Sequence, residues 1–405
     1  MVKQSSRGSR TSKKPWTGRV MRICLYTETA LPKMGGQEWV VDALARQFQK
    51  RGHSVVVLAP KPRMRLRAYD ALLPYPVVRH PRIYSKRRFI SWYRWFLLRL
   101  HRRHRTEILH CHGIYPAGYL AALTRTERGI PTVITSHGGD INPASARLTH
   151  PTIQARIQQS LNDADALVSL SRYTEENYRR LCPLARRIVT IPNGVDLSAY
   201  SAPAPRPDGA DPIMRPGEYF LFLGRLKERK GADVLLQALN SWQTADAEGA
   251  RLVLAGSGEE LPALEAQCRA LGLSKRVRFI GPVSHPEKAY WLQNALATVV
   301  PSRGWEAFPL VVLESFAAGT PVVGTRIPGL ADLIEADRTG WPVDPEAPVE
   351  LGRTLADIWR NRDRAKSMGE NAAERARELS WEAIAQRHLD LYEELIGQAR
   401  FHKSA

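Results

Sequence analysis

A chain of 405 residues, 43% hydrophobic and 24% charged, has the composition of an ordinary globular protein and more length than one core organises, so two domains are expected. No apolar run approaches the roughly 20 residues of a membrane-spanning helix, and residues 1–19, polar, basic and without an apolar centre, read as a disordered tail rather than a secretory signal. The net charge of +19 lies entirely in residues 1–19, with six Lys/Arg and no acid, and residues 61–105, with fourteen against Asp70 alone, so an anionic surface is the expected partner.

Residues 20–27 (VMRICLYT) predict a first parallel strand. After the glycines Gly35 and Gly36, a helix is expected from near Gln37, with Trp39, Val40, Ala43, Leu44 and Phe48 on one face and a stop at Gly52; residues 53–59 form the next strand. This βαβ start lacks the spaced triple glycine of a dinucleotide fingerprint. Bare amides at Gly35 and Gly36 let a diphosphate or sugar approach the backbone, although a tight turn alone explains them equally well.

From Tyr84 to Arg105 the chain reads YSKRRFISWYRWFLLRLHRRHR. A helical wheel gathers Phe89, Trp92, Tyr93, Phe96, Leu97 and Leu100 on one side and Arg87, Arg94, Arg102 and Arg105 on the other, with Trp95 and Leu98 breaking the segregation. A basic amphipathic helix edged with Trp and Tyr suits the headgroup layer of an anionic membrane, each basic residue adding about 1 kcal/mol. A packing helix with solvated arginines is the competing reading.

Residues 108–113 look like a strand ending in His110, Cys111, His112 and Gly113. Alternation puts the cysteine and the histidines on opposite faces, so metal ligation is not expected, and His112-Gly113 reads as a strand end at a crevice. The strand 131–135 ends in Ser136-His137-Gly138-Gly139-Asp140, which sets an imidazole at a carboxyl end beside two glycines. Asp163 and Asp165 have the spacing of a manganese motif, but they lie between a helix and the strand 166–170, where capping and solvation suffice. Four scattered cysteines (Cys24, Cys111, Cys182, Cys268) suit reduced thiols in a cytoplasmic protein.

Turn signals at 191–196 and a Pro-, Ala- and Gly-rich stretch at 201–217 mark a joint. Beyond it, the strand 219–223 leads into Gly224-Arg225 and Lys230-Gly231, where two cations flank a turn and can neutralise a diphosphate. Strands 251–255 and 277–280 follow, the second ending in Gly281-Pro282-Val283-Ser284. Residues 298–335 (TVVPSRGWEAFPLVVLESFAAGTPVVGTRIPGLADLIE) then read as strand, loop, short helix and strand, a right-handed βαβ unit with its loop at the carboxyl end of the first strand. Glu306 sits in that loop and Glu314 two turns down the helix. Each can accept two hydroxyls from a sugar-bearing ligand, and the amides after Glu306 open the helix toward a phosphate. Residues 381–396 predict an amphipathic final helix.

Several of these motifs, in this order, resemble those of retaining nucleotide-sugar glycosyltransferases of family 4, over about residues 20 to 398. The carrying residues are His137-Gly138, Ser171-Arg172-Tyr173-Thr174, Gly224-Arg225, Lys230-Gly231, and Glu306, seven residues, Glu314 with Phe308-Pro309-Leu310; the departure is Ala307, where a glycine is usual. The resemblance implies an α/β protein of GT-B architecture, two facing Rossmann-like domains with a cleft between them. The expected boundaries are a tail at 1–19, an acceptor-side domain at 20–197, a linker at 198–217, a donor-binding domain at 218–380 and a helix at 381–405 crossing back. It implies a UDP-, GDP- or ADP-sugar donor: Glu306 on sugar hydroxyls, Glu314 on the ribose, Arg225 and Lys230 on the diphosphate, the loop of Val283 beside the base, and Ala307, Phe308, Pro309 and Leu310 lining the donor loop. His137, Gly35 and Gly36 approach from the first domain as the cleft closes. His137, Arg225, Lys230 and Glu306 form the expected catalytic set, with no metal required and no nucleophile assigned. The departing phosphate oxygen takes the acceptor's proton. A hexose would pass with retention to a lipid-linked or cell-envelope glycan, by a cytoplasmic enzyme lying peripherally on the inner face of the membrane. A basic RNA-binding protein is the alternative of a different class, disfavoured by the confined charge and the lack of an RNA-reading module; a same-fold sugar-nucleotide epimerase is another.

Overall fold

The computed structural model describes residues 19–33, 35–61, 66–81, 89–242 and 249–404. Two parallel sheets follow one another along the chain. The first holds β1 (Arg22–Thr27), β2 (Ser54–Pro60), β3 (Val77–His80), β4 (Ile108–His112), β5 (Thr132–Thr135), β6 (Ala166–Ser169) and β7 (Ile188–Thr190), in the order β3-β2-β1-β4-β5-β6-β7. The second holds β8 (Tyr219–Leu223), β9 (Arg251–Ala255), β10 (Val277–Gly281), β11 (Ala297–Val300), β12 (Val322–Thr325) and β13 (Gly340–Val343), in the order β10-β9-β8-β11-β12-β13. Both orders reverse direction at one point, between β1 and β4 and between β8 and β11. Open α/β sheets bind their ligands in the crevice at the carboxyl ends of the strands flanking such a reversal.

Helices cover both faces of each sheet, so the central strands are apolar runs rather than alternating ones. All of β11 (ATVV) and most of β8 (YFLFL) are buried. The strands that the sequence pattern did not single out, β3, β7 and β13, lie at sheet edges and are three or four residues long. Edge strands bury less, so their hydrophobic signal is weak.

The final helix, Trp381–Ser404, returns to the first sheet. Trp381 N–H donates to the Val195 carbonyl at 3.0 Å, and Val195 N–H to that of Leu379 at 2.9 Å, which fastens the returning chain at the joint. Farther along, Tyr392 meets Phe48 of the helix Gly36–Lys50 ring to ring at 5.6 Å, and Arg187 holds Glu394 through two bonds of 2.5 and 2.9 Å.

The helix Phe89–His104 corrects the membrane expectation for its apolar face. Tyr93, Leu97 and Leu100 are buried in the core with Cys24, Tyr26 and Val56, and Trp92 and Phe96 pack partly buried against the same cluster. That face covers the first sheet and is not free to enter a headgroup layer. Trp95, 55% exposed, remains outside with Arg99 over its ring at 5.8 Å, and Arg94 pairs with Glu127. Tyr84, Arg87 and Arg88, which belong to the same expectation, lie outside the described residues, as do residues 1–18 of the basic tail. Among the described residues no helix is long and apolar enough to cross a membrane.

Candidate functional site

The loop between β11 and the helix Leu310–Ala317 leaves the reversal point of the second sheet and carries Glu306 into the crevice. Glu306 is 6% exposed. Its Oε1 accepts from Ser302 Oγ at 2.8 Å and from the Lys230 ammonium, with Arg229 Nη1 at 3.4 Å. Burial opposes its charge, but Lys230, Arg229 and Ser302 outweigh that and hold its carboxyl below the usual carboxylate range. Lys230 is pulled below its ordinary value by burial, with Glu306 acting the other way. The loop keeps its place because the chain comes back against it. Glu306 N–H donates to the Pro328 carbonyl at 3.0 Å, and Gly329, at φ +80°, leaves room for the Glu306 carbonyl where a Cβ would approach to 1.6 Å.

The first half meets this loop directly. Ser171 Oγ donates to the Ala307 carbonyl at 2.8 Å, and Tyr173 stacks on Trp305 at 5.8 Å, with the Arg229 guanidinium also over the Trp305 ring at 5.5 Å. Gly138, at φ +95°, sits where an added Cβ would come within 2.6 Å of the Ala307 methyl and 2.8 Å of Trp305 Cζ3. The alanine that departs from the expected glycine therefore packs over a glycine of the opposite half. Gly36 opens its helix beside the Leu310 side chain, and Trp39 crosses to His285 at 4.5 Å. Gly35 caps that helix in an extended conformation without a side-chain bond.

His137 follows β5 and is partly exposed. Its Nε2 lies 3.1 Å from Nδ1 of His112, with the two rings stacked at 5.3 Å. Burial pushes its pKa down to about 4, so the imidazole is neutral at neutral pH. Glu314, on the helix Leu310–Ala317, pairs with the Lys288 ammonium. Both acids of the motif thus have a lysine partner, and Lys288 was not among the residues singled out from sequence.

Other expected residues stand apart. Arg225 is exposed at the mouth of the loop after β8, and among the described residues no carboxylate pairs with it, whereas its neighbour Lys227 holds Glu259 at 2.9 Å. Val283 lies partly buried against the core in the loop after β10. Phe308 is buried in the core and Pro309 caps the helix, so these two shape the loop from behind. Asp165 is held by Arg125 through two bonds of 2.7 Å and accepts from Thr132 N–H at 2.9 Å, a structural use of the acid. His110 and His112, set aside as metal ligands, line up behind His137; their spacing of two on one strand was the available signal.

Two Rossmann-like halves whose strand ends meet at Glu306, after β11, and His137, after β5, define a GT-B glycosyltransferase. The chain belongs to glycosyltransferase family 4: the family description "Glycosyltransferase Family 4" matches residues 34–199 and "Glycosyl transferases group 1" matches residues 212–375. It is 31% identical over 320 residues to D-inositol 3-phosphate glycosyltransferase 2 of Catenulispora acidiphila, covering 73% of this chain and 74% of that protein. It is 33% identical over 294 residues, 68% of each chain, to D-inositol 3-phosphate glycosyltransferase of Xylanimonas cellulosilytica. Among solved structures, sucrose-phosphate synthase from Thermosynechococcus elongatus superposes with a TM-score of 0.76 at 24% identity, covering 93% of this chain and all of that one. HepE of Anabaena in complex with UDP superposes at 0.77 with 18% identity, covering 92% and 100%.

Proposed function

We propose that this enzyme transfers a hexose from a nucleoside diphosphate sugar to an acceptor hydroxyl with retention at the anomeric carbon. The observation that carries the reading is Glu306, a buried carboxylate at the reversal point of the second sheet, held by Lys230 and Ser302 and roofed by the loop of His137 and Gly138. Glu306 accepts hydroxyls of the donor sugar and Glu314 those of the ribose. Arg225 and Lys230 supply positive charge to the diphosphate as it leaves, and the backbone amides opening the helix Leu310–Ala317 add to it. For this the Lys230 ammonium is shared between Glu306 and the ligand. The departing phosphate oxygen takes the proton of the acceptor hydroxyl, so no protein nucleophile is assigned. The contact of Gly138 with Ala307 and Trp305 excludes water from the reacting carbon, which protects the donor from hydrolysis.

UDP-sugars are the first donors to test, because solved relatives of the same fold carry UDP and UDP-glucose. The test is a thermal-shift panel of UDP-, GDP- and ADP-sugars followed by a transfer assay; a ligand at about 100 times its dissociation constant adds about 2.7 kcal/mol. No stabilisation by any nucleoside diphosphate sugar would remove the reading.

For the acceptor we propose a lipid-linked or cell-envelope glycan, reached from the membrane surface by the outer strip of the helix Phe89–His104, where Trp95, Arg99, Arg102 and Arg103 are exposed. A small phosphorylated polyol is the second reading, favoured by the names of the sequence relatives and by the inward packing of Tyr93, Leu97 and Leu100. Co-sedimentation with anionic vesicles at two salt concentrations separates them: binding lost on changing Arg99, Arg102 and Arg103 to Gln supports the first, no binding by the parent the second.

A further inference from the structure

Behind His137 runs a row of buried histidines that the transfer reaction does not use. Ring centroids are 5.6 Å apart from His388 to His110, 4.4 Å from His110 to His112 and 5.3 Å from His112 to His137. The inner end is anchored. His110 bonds through Nδ1 to the Tyr392 hydroxyl at 2.5 Å and through Nε2 to Thr135 Oγ1 at 2.7 Å, and His388 Nδ1 donates to the Ile384 carbonyl at 3.0 Å. The outer end is the 3.1 Å bond between His112 Nδ1 and His137 Nε2.

One proton serves that outer bond, and the far nitrogen of His112 decides which ring owns it. His112 Nε2 is fully buried and has no partner among the described residues. If His137 donated, neutral His112 would carry its own proton on Nε2, a buried N–H without an acceptor. If His112 donates, the only buried defect is a bare ring nitrogen, and the remaining N–H falls on His137, which is partly exposed. Buried orphan donors are rarer than under-satisfied acceptors, so the second arrangement is favoured. His137 must then accept at Nε2 and hold its proton on Nδ1, for which the described residues provide no partner.

We infer that His112 is a positioning residue, whose Nδ1–H fixes the His137 imidazole as the Nδ1–H tautomer and so presents a single hydrogen-bond donor to a hydroxyl of the donor sugar. This rests on the proposed transfer from a nucleoside diphosphate sugar, with His137 facing the donor from the first half. Left to itself an imidazole favours the Nε2–H form, which would turn an acceptor toward that hydroxyl.

The test is two-bond 1H–15N spectroscopy of the full chain with 15N-labelled histidine at neutral pH, His137 being assigned through His137→Gln. The expected spectrum has His137 protonated at Nδ1 and bare at Nε2; protonation at Nε2 overturns the inference. His112→Leu returns His137 to the Nε2–H form and lowers kcat about tenfold, the worth of one neutral hydrogen bond, with UDP affinity unchanged. His112→Asn, whose carboxamide N–H takes the place of Nδ1–H, restores both the tautomer and most of kcat. His112→Leu with the parent's tautomer and kcat also overturns it. Should His112→Leu fail to fold, the parent spectrum and the Asn variant decide. A parent with the expected tautomer that transfers no sugar leaves the tautomer standing and removes the donor-binding reading instead.

Discussion

Replacing Glu306 with Gln separates the sugar site from the diphosphate site. The side chain is 8% exposed, accepts from Ser302 at 2.8 Å and from Lys230, and has Arg229 at 3.4 Å. Gln keeps an oxygen in that place, so Ser302 and Lys230 retain an acceptor and only the charge is lost. Exchanging a charged hydrogen bond, about 1.5–3 kcal/mol, for a neutral one, about 0.5–1.5, costs about 1–2 kcal/mol of stability. That is less than the about 3–5 kcal/mol expected when one member of a buried pair is removed outright, as in Lys230→Met. The ammonium released in Glu306→Gln becomes freer for phosphate, so affinity for UDP is kept or rises. The sugar loses a charged acceptor that matters as the bond breaks, and transfer at saturating donor falls about 100- to 1,000-fold if this preorganised acceptor is worth as much to the transition state as one oxyanion-hole hydrogen bond. Denaturant unfolding gives the first quantity, titration calorimetry with UDP the second, and turnover the third. Equal losses in UDP affinity and in transfer would refute the division of roles.

Gly138→Ala puts a methyl at φ +95° within 2.6 Å of the Ala307 methyl, a strain of about 1–3 kcal/mol that forces the two halves apart; transfer falls while UDP affinity holds, and the double variant with Ala307→Gly recovers part of the loss in the same assay. Arg225→Ala, at an exposed and unpaired position, leaves unfolding within about 0.5 kcal/mol of the parent but raises the transfer barrier by about 2–4 kcal/mol; near-normal turnover after changing both Arg225 and Lys230 to Ala would sink the diphosphate assignment. Stability also falls with acid. Burial holds the His388 and His137 pKa values at about 4 and lowers those of His110 and His112, so between about pH 6.5 and 4 the unfolded chain binds the additional protons. Fully buried His388 alone contributes up to about 3 kcal/mol that is present above this window and lost through it. Glu28, raised by burial to about 7, acts in the opposite sense, gaining stability as the pH falls from 7 toward 4.5, but it is one group against those four histidines and His53, His104 and His285, which burial also lowers. Denaturant midpoints measured from pH 7.5 down to 4.5 test the sum, and a flat or rising series contradicts it.

Much of the fold was legible because buried parallel strands are continuous apolar runs and their carboxyl ends carry glycines; β1, β4, β5, β8 and β11 could be read this way, and with them the loops of His137, Arg225 and Glu306. Edge strands β3, β7 and β13 could not, since an edge strand of three or four residues buries too little to impose a pattern, whereas β10, an edge strand of five, could. The helix Phe89–His104 shows a different limit. Periodicity established that Tyr93, Leu97 and Leu100 share an apolar face, but a protein core and a lipid layer are equally apolar, and only the position of the helix over the first sheet decided between them. Pairing of the site acids was likewise beyond the sequence, because Lys230 meets Glu306 across 76 positions and Lys288 meets Glu314 across 26, separations at which no local rule operates. The same holds for the row from His388 to His137, assembled from two strand ends and a helix that returns across the joint. Residue types and spacings determined which groups stand at strand ends; the closure of the two sheets upon each other decided which of them touch, because contacts between distant segments follow from packing and not from sequence distance.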